Sequence, residues 1–255
     1  MSLAGKIFVV TGGGSGIGMA TVNKLLQNSA TVHVLDITDI PSHGSTPGQQ
    51  ISHPQVDIGS RSQVKAVFDK IATRSNGAPW LDGLVNCAGM LRSTTCSTDP
   101  QDDETFRILW QVNVMGAWHT TTEFKERLDA SRELHDPALA HATTSVVNVG
   151  SMASVRGIPG MAAYVASKHA LHGLTRVFAQ ELGPAGFRVN TVAPGAVNTP
   201  MIAAALRDGH HDAAYKGAFK ICSEPEEIAD TIVFLLGEGS SSISGQILEV
   251  NGGWP

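Results

Sequence analysis

Short unbroken apolar runs alternate along this chain with longer stretches in which apolar residues recur every three or four positions. Ile7-Phe8-Val9-Val10 is the first such run, and a run of that kind suits a strand buried on both faces. A helical pattern from Ile17 to about Gln27 follows, then a second strand from Thr31 to Leu35. Gln55-Val56-Asp57-Ile58 reads as a third strand, and Pro41 to Gln50 as a loop. Val64, Val67, Phe68 and Ile71 share one face of a helix, and Leu84-Val85 leads into Asn86-Cys87-Ala88-Gly89. One long helix is expected from Asp103 to Ala130, with Phe106, Leu109, Trp110, Val114 and Ala117 inward. Further strands are expected at Ser145 to Val149, Arg188 to Ala193 and Ile247 to Val250. A helix through Tyr164 should run to Leu182, where Gly183-Pro184 stop it.

Strands alternating with helices predict an α/β fold, a doubly wound parallel sheet of about seven strands with helices on both faces. At 255 residues, with 42% hydrophobic and 16% charged, the chain suits one domain. Its net charge of −5, with no basic run, argues against a nucleic-acid partner. No apolar run reaches 18 residues, so no membrane span is expected. A strand beginning near Lys6 leaves no room for a signal peptide, and the three cysteines show no disulfide or zinc spacing. A reducing, cytoplasmic setting is therefore expected.

In such sheets ligands sit at the carboxyl ends of the strands, and the unusual residues of this chain cluster there. Thr11-Gly12-Gly13-Gly14-Ser15-Gly16-Ile17-Gly18 follows a strand and opens a helix. Glycines there let backbone approach a pyrophosphate, and the helix N-terminus favours its charge. A flexible glycine turn is the alternative. Asp36 ends the second strand, where a carboxylate can accept hydrogen bonds from a ribose diol and repel a 2′-phosphate. No Arg or Lys lies in Gly12 to Gly18 or Asp36 to Ile40, so NAD is favoured over NADP. A merely solvated strand-end carboxylate is the alternative for Asp36.

Tyr164 and Lys168 lie four residues apart, on one face of their helix. A phenol with a pKa of about 10 is a poor acid or base at neutral pH. A fixed ammonium one turn away lowers that value and makes proton transfer near neutrality feasible. No His, Cys and carboxylate cluster has metal-ligand spacing, so no metal is expected, and His210-His211 reads as solvated loop. Cys87 reads as a small packed hydrophobe, and Arg156 as a surface or interface contact. Met152, Met161, Met201 and Ile202 suit either core or a partly apolar pocket. Trp254 could line a neighbouring subunit's site or cover its own core.

Together these motifs resemble the short-chain dehydrogenase/reductase family over essentially the whole chain. Thr11 to Gly18 matches the family's T-G-x-x-x-G-x-G loop, and Asn86-Cys87-Ala88-Gly89 resembles N-N-A-G with Cys87 in place of the second Asn. Ser151 precedes Tyr164 by 13 residues, as the family's catalytic Ser does, and Asn113 matches its helix Asn. Pro194-Gly195-Ala196-Val197-Asn198-Thr199 matches the loop that holds the nicotinamide amide. Within the family, Asp103 to Ala130 and the C-terminal Asn251 to Pro255 look most like fungal secondary-metabolite dehydrogenases, including the chanoclavine type.

The resemblance implies a Rossmann-type fold and a catalytic set of Asn113, Ser151, Tyr164 and Lys168. Tyr164 would be the acid/base, Ser151 would hold the substrate oxygen, Lys168 the ribose, and Asn113 a water linking Lys168 to solvent. It implies NAD contacts from Gly12, Ser15, Gly16, Ile17, Gly18, Asp36 and Ile37, with Asp57 and Ile58 at the adenine. Asn86, Ala88, Gly89, Tyr164, Lys168, Pro194, Gly195, Val197 and Thr199 complete that set. A substrate lid over 197–223 and a homotetramer, or a dimer, paired through the two long helices are implied too. The expected reaction is oxidation of a bulky uncharged secondary alcohol with NAD. The rivals are an NADPH-dependent ketone or 3-oxoacyl reductase and a non-catalytic dinucleotide sensor.

Overall fold

The computed structural model describes residues 3–42, 44, 46–74, 80–92, 103–134, 143–207, 218–219 and 222–254. Seven parallel strands form one sheet in the order β3-β2-β1-β4-β5-β6-β7. They are β1 Ile7–Thr11, β2 Thr31–Leu35, β3 Gln49–His53, β4 Gly83–Asn86, β5 Thr144–Val149, β6 Phe187–Pro194 and β7 Ile247–Val250. The order reverses between β1 and β4, which opens a crevice at their carboxyl ends. The expected doubly wound Rossmann-type sheet is therefore present.

Alternation along each strand sends side chains to two separate cores. Phe8 and Val10 pack with Leu25 of helix α1 (Gly16–Gln27) and with Ile228, Ile232 and Leu235 of helix α7 (Pro225–Leu236). Val9 and Leu84 face the other way, with Phe68 of helix α2 (Arg61–Arg74). Phe124 of helix α4 (Ala117–Leu134) and Phe178 of helix α5 (Ala162–Glu181) complete that face. Every residue of β4, β5 and β6 is buried, as a parallel strand covered on both faces requires.

Two expectations are corrected. The third strand is Gln49–His53, not Gln55 to Ile58. It is an edge strand of mostly polar residues, with Ile51 alone apolar, so no apolar run marks it, and part of the expected Pro41 to Gln50 loop belongs to it. Gln55 adopts φ 59°, which ends the strand, and the Val56 N–H donates to the Asp36 carbonyl at 2.8 Å. Val56, Asp57 and Ile58 thus form a loop beside the end of β2.

The long helix is also broken in the middle. Helix α3 (Asp103–Trp110) passes into one wide π turn (Gln111–Gly116) before α4 begins. The extra residue in that turn rotates the two halves out of phase, so one helical period misplaces part of the apolar face. Leu109, Val114 and Ala117 are buried as expected, whereas Phe106 and Trp110 are 44% and 38% exposed and stack on each other. Of the expected lid, helix α6 (Pro200–Arg207) is described. His210 and His211 lie outside the described residues.

Candidate active site

The carboxyl ends of the strands open into one cavity of about 400 Å³. Its floor is the loop between β1 and α1. Gly12 has φ 68°, and a Cβ on it would lie 2.7 Å from the Ala88 backbone. A Cβ on Gly18 would lie 2.1 Å from the Gly12 carbonyl oxygen, so only glycine lets α1 close against the loop. Ser15 precedes the helix in extended geometry and makes no capping bond, which leaves the first-turn N–H groups for an anion. Thr11 braces this loop to β4: its Oγ1 accepts from the Cys87 and Ala88 N–H groups, both at 3.1 Å. Thr11 thus has a bracing role that the glycine spacing does not reveal.

Asp36 is pinned in place. Its Oδ2 accepts from the Gly14 N–H at 2.8 Å, and its Oδ1 accepts from the Thr38 N–H and hydroxyl at 2.9 Å. Ile37, Asp57 and Ile58 line the same end of the cavity. At the other end Ser151 opens the turn Met152–Ser154. Its Oγ accepts from the Ala153 N–H at 3.2 Å, and its own N–H donates to Ser154 Oγ at 3.2 Å. Ser154 is therefore a supporting residue that motif spacing does not reveal.

Tyr164 and Lys168 project from α5 into the cavity beside Ser151. The Lys168 Nζ donates to the Val149 carbonyl at 2.9 Å and lies 5.8 Å from the Tyr164 ring centre. Burial lowers the Lys168 pKa from an ordinary 10.5 to about 8. Cys87, on the wall, has its thiol pushed up to about 12 by burial, so it stays protonated and packs against the core as expected. Pro194, Gly195, Val197 and Thr199 close the side next to Gly16, where a Cβ would lie 3.1 Å from Thr199 Cγ2.

Two expected site residues stand behind this wall rather than on it. Asn86 is buried in a polar ladder: it donates to Thr121 at 3.0 Å and to Asn148 at 2.8 Å, and accepts from Thr120 at 2.6 Å. Asn113, in the π turn, accepts from the Met90 N–H at 2.8 Å. Its amide donates to the Met90 carbonyl and to Ser167 Oγ, both at 3.0 Å. Ser167 in turn donates to the Tyr164 carbonyl at 2.7 Å. All the other expected site residues line the cavity. Met152, Met161, Met201 and Ile202 line it too, which decides their open readings in favour of a pocket, and Trp254 lines the cavity of its own chain, a place neither of its two readings gave it. Arg156 pairs with Glu249 at 3.0 Å instead of facing the cavity. Among the described residues no His, Cys, Asp and Glu group could hold a metal, and no helix is long and apolar enough to cross a membrane.

A family model described as enoyl-(acyl carrier protein) reductase matches residues 12–255. The chain belongs to the short-chain dehydrogenase/reductase family. It is 34% identical to the short-chain dehydrogenase/reductase ABA4 of the fungus Pyricularia oryzae, across 100% of this chain and 93% of that one. It is 35% identical to the 2,5-dichloro-2,5-cyclohexadiene-1,4-diol dehydrogenase of Sphingobium indicum, across 99% of this chain and 98% of that one. A short-chain dehydrogenase from Mycobacterium paratuberculosis, solved bound to NAD, superposes with a TM-score of 0.82 at 26% identity. That match covers 99% of this chain and 98% of the other. The protein is thus an oxidoreductase of CH–OH groups that uses a nicotinamide cofactor, and the glycine loop and free helix N-terminus fit such a dinucleotide.

Proposed function

We propose that this short-chain dehydrogenase uses NAD to oxidise a bulky, uncharged secondary alcohol to its ketone. The observation that carries the reading is one cavity that joins the glycine loop and Asp36 to Ser151, Tyr164 and Lys168. Lys168 is the only Lys or Arg among the described residues lining it, so neither a 2′-phosphate nor an anionic substrate has a partner there. The cyclohexadiene-diol relative, by its name, acts on an uncharged ring alcohol.

Bound NAD supplies the hydride acceptor. Gly12 to Gly18 and the N-terminus of α1 hold its pyrophosphate, and Asp36 takes the adenosine ribose hydroxyls. Ser151 donates to the substrate oxygen and orients it. Tyr164 removes the alcohol proton, with Lys168 favouring the phenolate and holding the second ribose. A prepositioned Ser hydroxyl and Tyr phenol bracketing one oxygen stabilise the charge that develops on it. Asn113 acts by position: through Met90 and Ser167 it fixes the wall and the first turn of α5. Both its amide hydrogens are already donated, so the expected water link to Lys168 does not run through them.

Initial rates with NAD and NADP over a panel of secondary alcohols test this, with Asp36→Ala alongside. NAD should be preferred, and Asp36→Ala should cost about one to two decades in NAD affinity, the worth of one charge-assisted contact. A wild type that prefers NADP sinks the cofactor assignment. One relative, the 3-oxoacyl-(acyl-carrier-protein) reductase FabG of Thermotoga maritima at 30% identity, favours one second reading, reduction of the ketone of a 3-oxoacyl thioester. Faster turnover of acetoacetyl thioester with NADPH than of any alcohol with NAD would establish that reading instead.

A further inference from the structure

After β7 the chain turns back over the cavity, with Gly252 at φ 63° and Gly253 at φ 79°. Asn251 is the junction. Its Nδ2 donates to Met152 Sδ at 3.0 Å, to Glu249 at 3.2 Å and to the Trp254 carbonyl at 3.2 Å, and its Oδ1 accepts from the Gly253 N–H at 2.9 Å. The Phe219 N–H donates to the Gly252 carbonyl at 2.7 Å, which ties the turn to the segment beyond α6. The turn seats Trp254 on the cavity wall. The Arg156 guanidinium lies over the indole, 5.7 Å from its centre, and is itself held by Glu249 at 3.0 Å.

Tyr164 and Trp254 are the only aromatic residues among the described residues lining the cavity. Met152, Met161, Met201, Ile158 and Ile202 line the cavity as well. Methionine adapts to irregular shapes and so discriminates weakly between substrates of one size. An indole is flat and rigid, and it favours another π surface beyond the area it buries. Here it is further fixed by a cation over one face. With its charge matched by Glu249, Arg156 serves the ring and not a substrate anion.

We propose that Trp254 is a specificity-determining wall of the substrate pocket that selects alcohols carried on a flat, unsaturated ring, with Arg156 and Asn251 as the positioning residues that hold it. The proposal rests on the alcohol-oxidation reading and names its substrate class.

Titration calorimetry of indan-1-ol and its ring-saturated analogue tests it, with the protein loaded with whichever reduced nicotinamide nucleotide it binds. Wild type should bind indan-1-ol about 5- to 10-fold more tightly than the saturated alcohol, the size of one aromatic contact. Trp254→Ala should abolish that preference without changing nucleotide affinity, and Trp254→Phe should keep most of it. Arg156→Met should lose part of the preference and Arg156→Lys should restore it, since an ammonium also sits over an indole and pairs with Glu249. Equal binding of the two alcohols by wild type, binding of neither, or a preference that survives Trp254→Ala overturns the inference. Failure of every alcohol to turn over with NAD would refute the alcohol-oxidation reading alone, because the binding preference is measured without turnover.

Discussion

Lys168 carries the sharpest test at the scale of single residues. Its folded pKa of about 8 lies below the ordinary 10.5, so the unfolded chain holds this proton more tightly. Below pH 8 both states are protonated and the cost of the buried charge is fully present. Between 8 and 10.5 the native state releases its proton first and stability recovers. A shift of that size corresponds to about 3 kcal/mol. Lys168→Met should therefore melt several degrees above wild type at pH 7, with the gap closing as pH approaches 10. A gap that is constant with pH would show that Lys168 carries no buried charge. Tyr164→Phe removes a hydroxyl and keeps the ring, so kcat should fall by about two to four decades while NADH binding holds. Oxidation by wild type should lose rate as pH rises above about 8, where Lys168 gives up the charge that favours the Tyr164 phenolate. A flat profile with chemistry rate-limiting would count against that support of Tyr164 by Lys168.

At the scale of elements, function depends on close approaches that only certain residues permit. Helix α1 touches the end of β1 through Gly18, where an added Cβ would meet backbone at 2.1 Å. That atom cannot rotate away, so Gly18→Ala should lower the melting temperature and abolish NADH binding together. Retained NADH affinity in a fluorescence titration would show that the loop is not the pyrophosphate seat. The π turn makes a second such approach: Gly116 lies where a Cβ would be 2.5 Å from Ile58 Cδ1. It also turns Asn113 inward to Met90 and Ser167, so one irregular turn sets both the Ile58 end of the cavity and the first turn of α5.

For the whole molecule, the apolar groups left exposed give the assembly test. Phe106, Trp110, Trp118 and Val177 are all more than a third exposed, on α3, α4 and α5. These include the two segments expected to pair, and Ala163, Ala166 and Ala170 on α5 permit close approach of a second copy. We expect a homotetramer, or a dimer, through these isologous faces. Light scattering should show it at micromolar concentration, and Val177→Glu should weaken it by placing an unpaired charge in an apolar contact. A monomeric wild type would refute the pairing.

The sequence by itself determined the layers and most of the chemistry. Buried parallel strands need continuous apolar runs, and a dinucleotide cradle needs glycines at set intervals, so β1, β2, the Thr11 to Gly18 loop and the Tyr164–Lys168 spacing were all legible. Features without a local signature depended on the fold. The edge strand Gln49–His53 is held by pairing with β2, although all its residues but Ile51 are polar. The π turn breaks a helical period that looks continuous in sequence. Asn86 and Asn113 left the expected cavity wall because their amides found partners on β5, α4 and α5 and in the chain after β4. Trp254 joined that wall because glycine turns and Asn251 brought the end of the chain back to Met152, which lies 99 residues earlier. Contacts between residues so distant in sequence form only when the chain is folded, and here they decide the shape of the substrate end of the pocket.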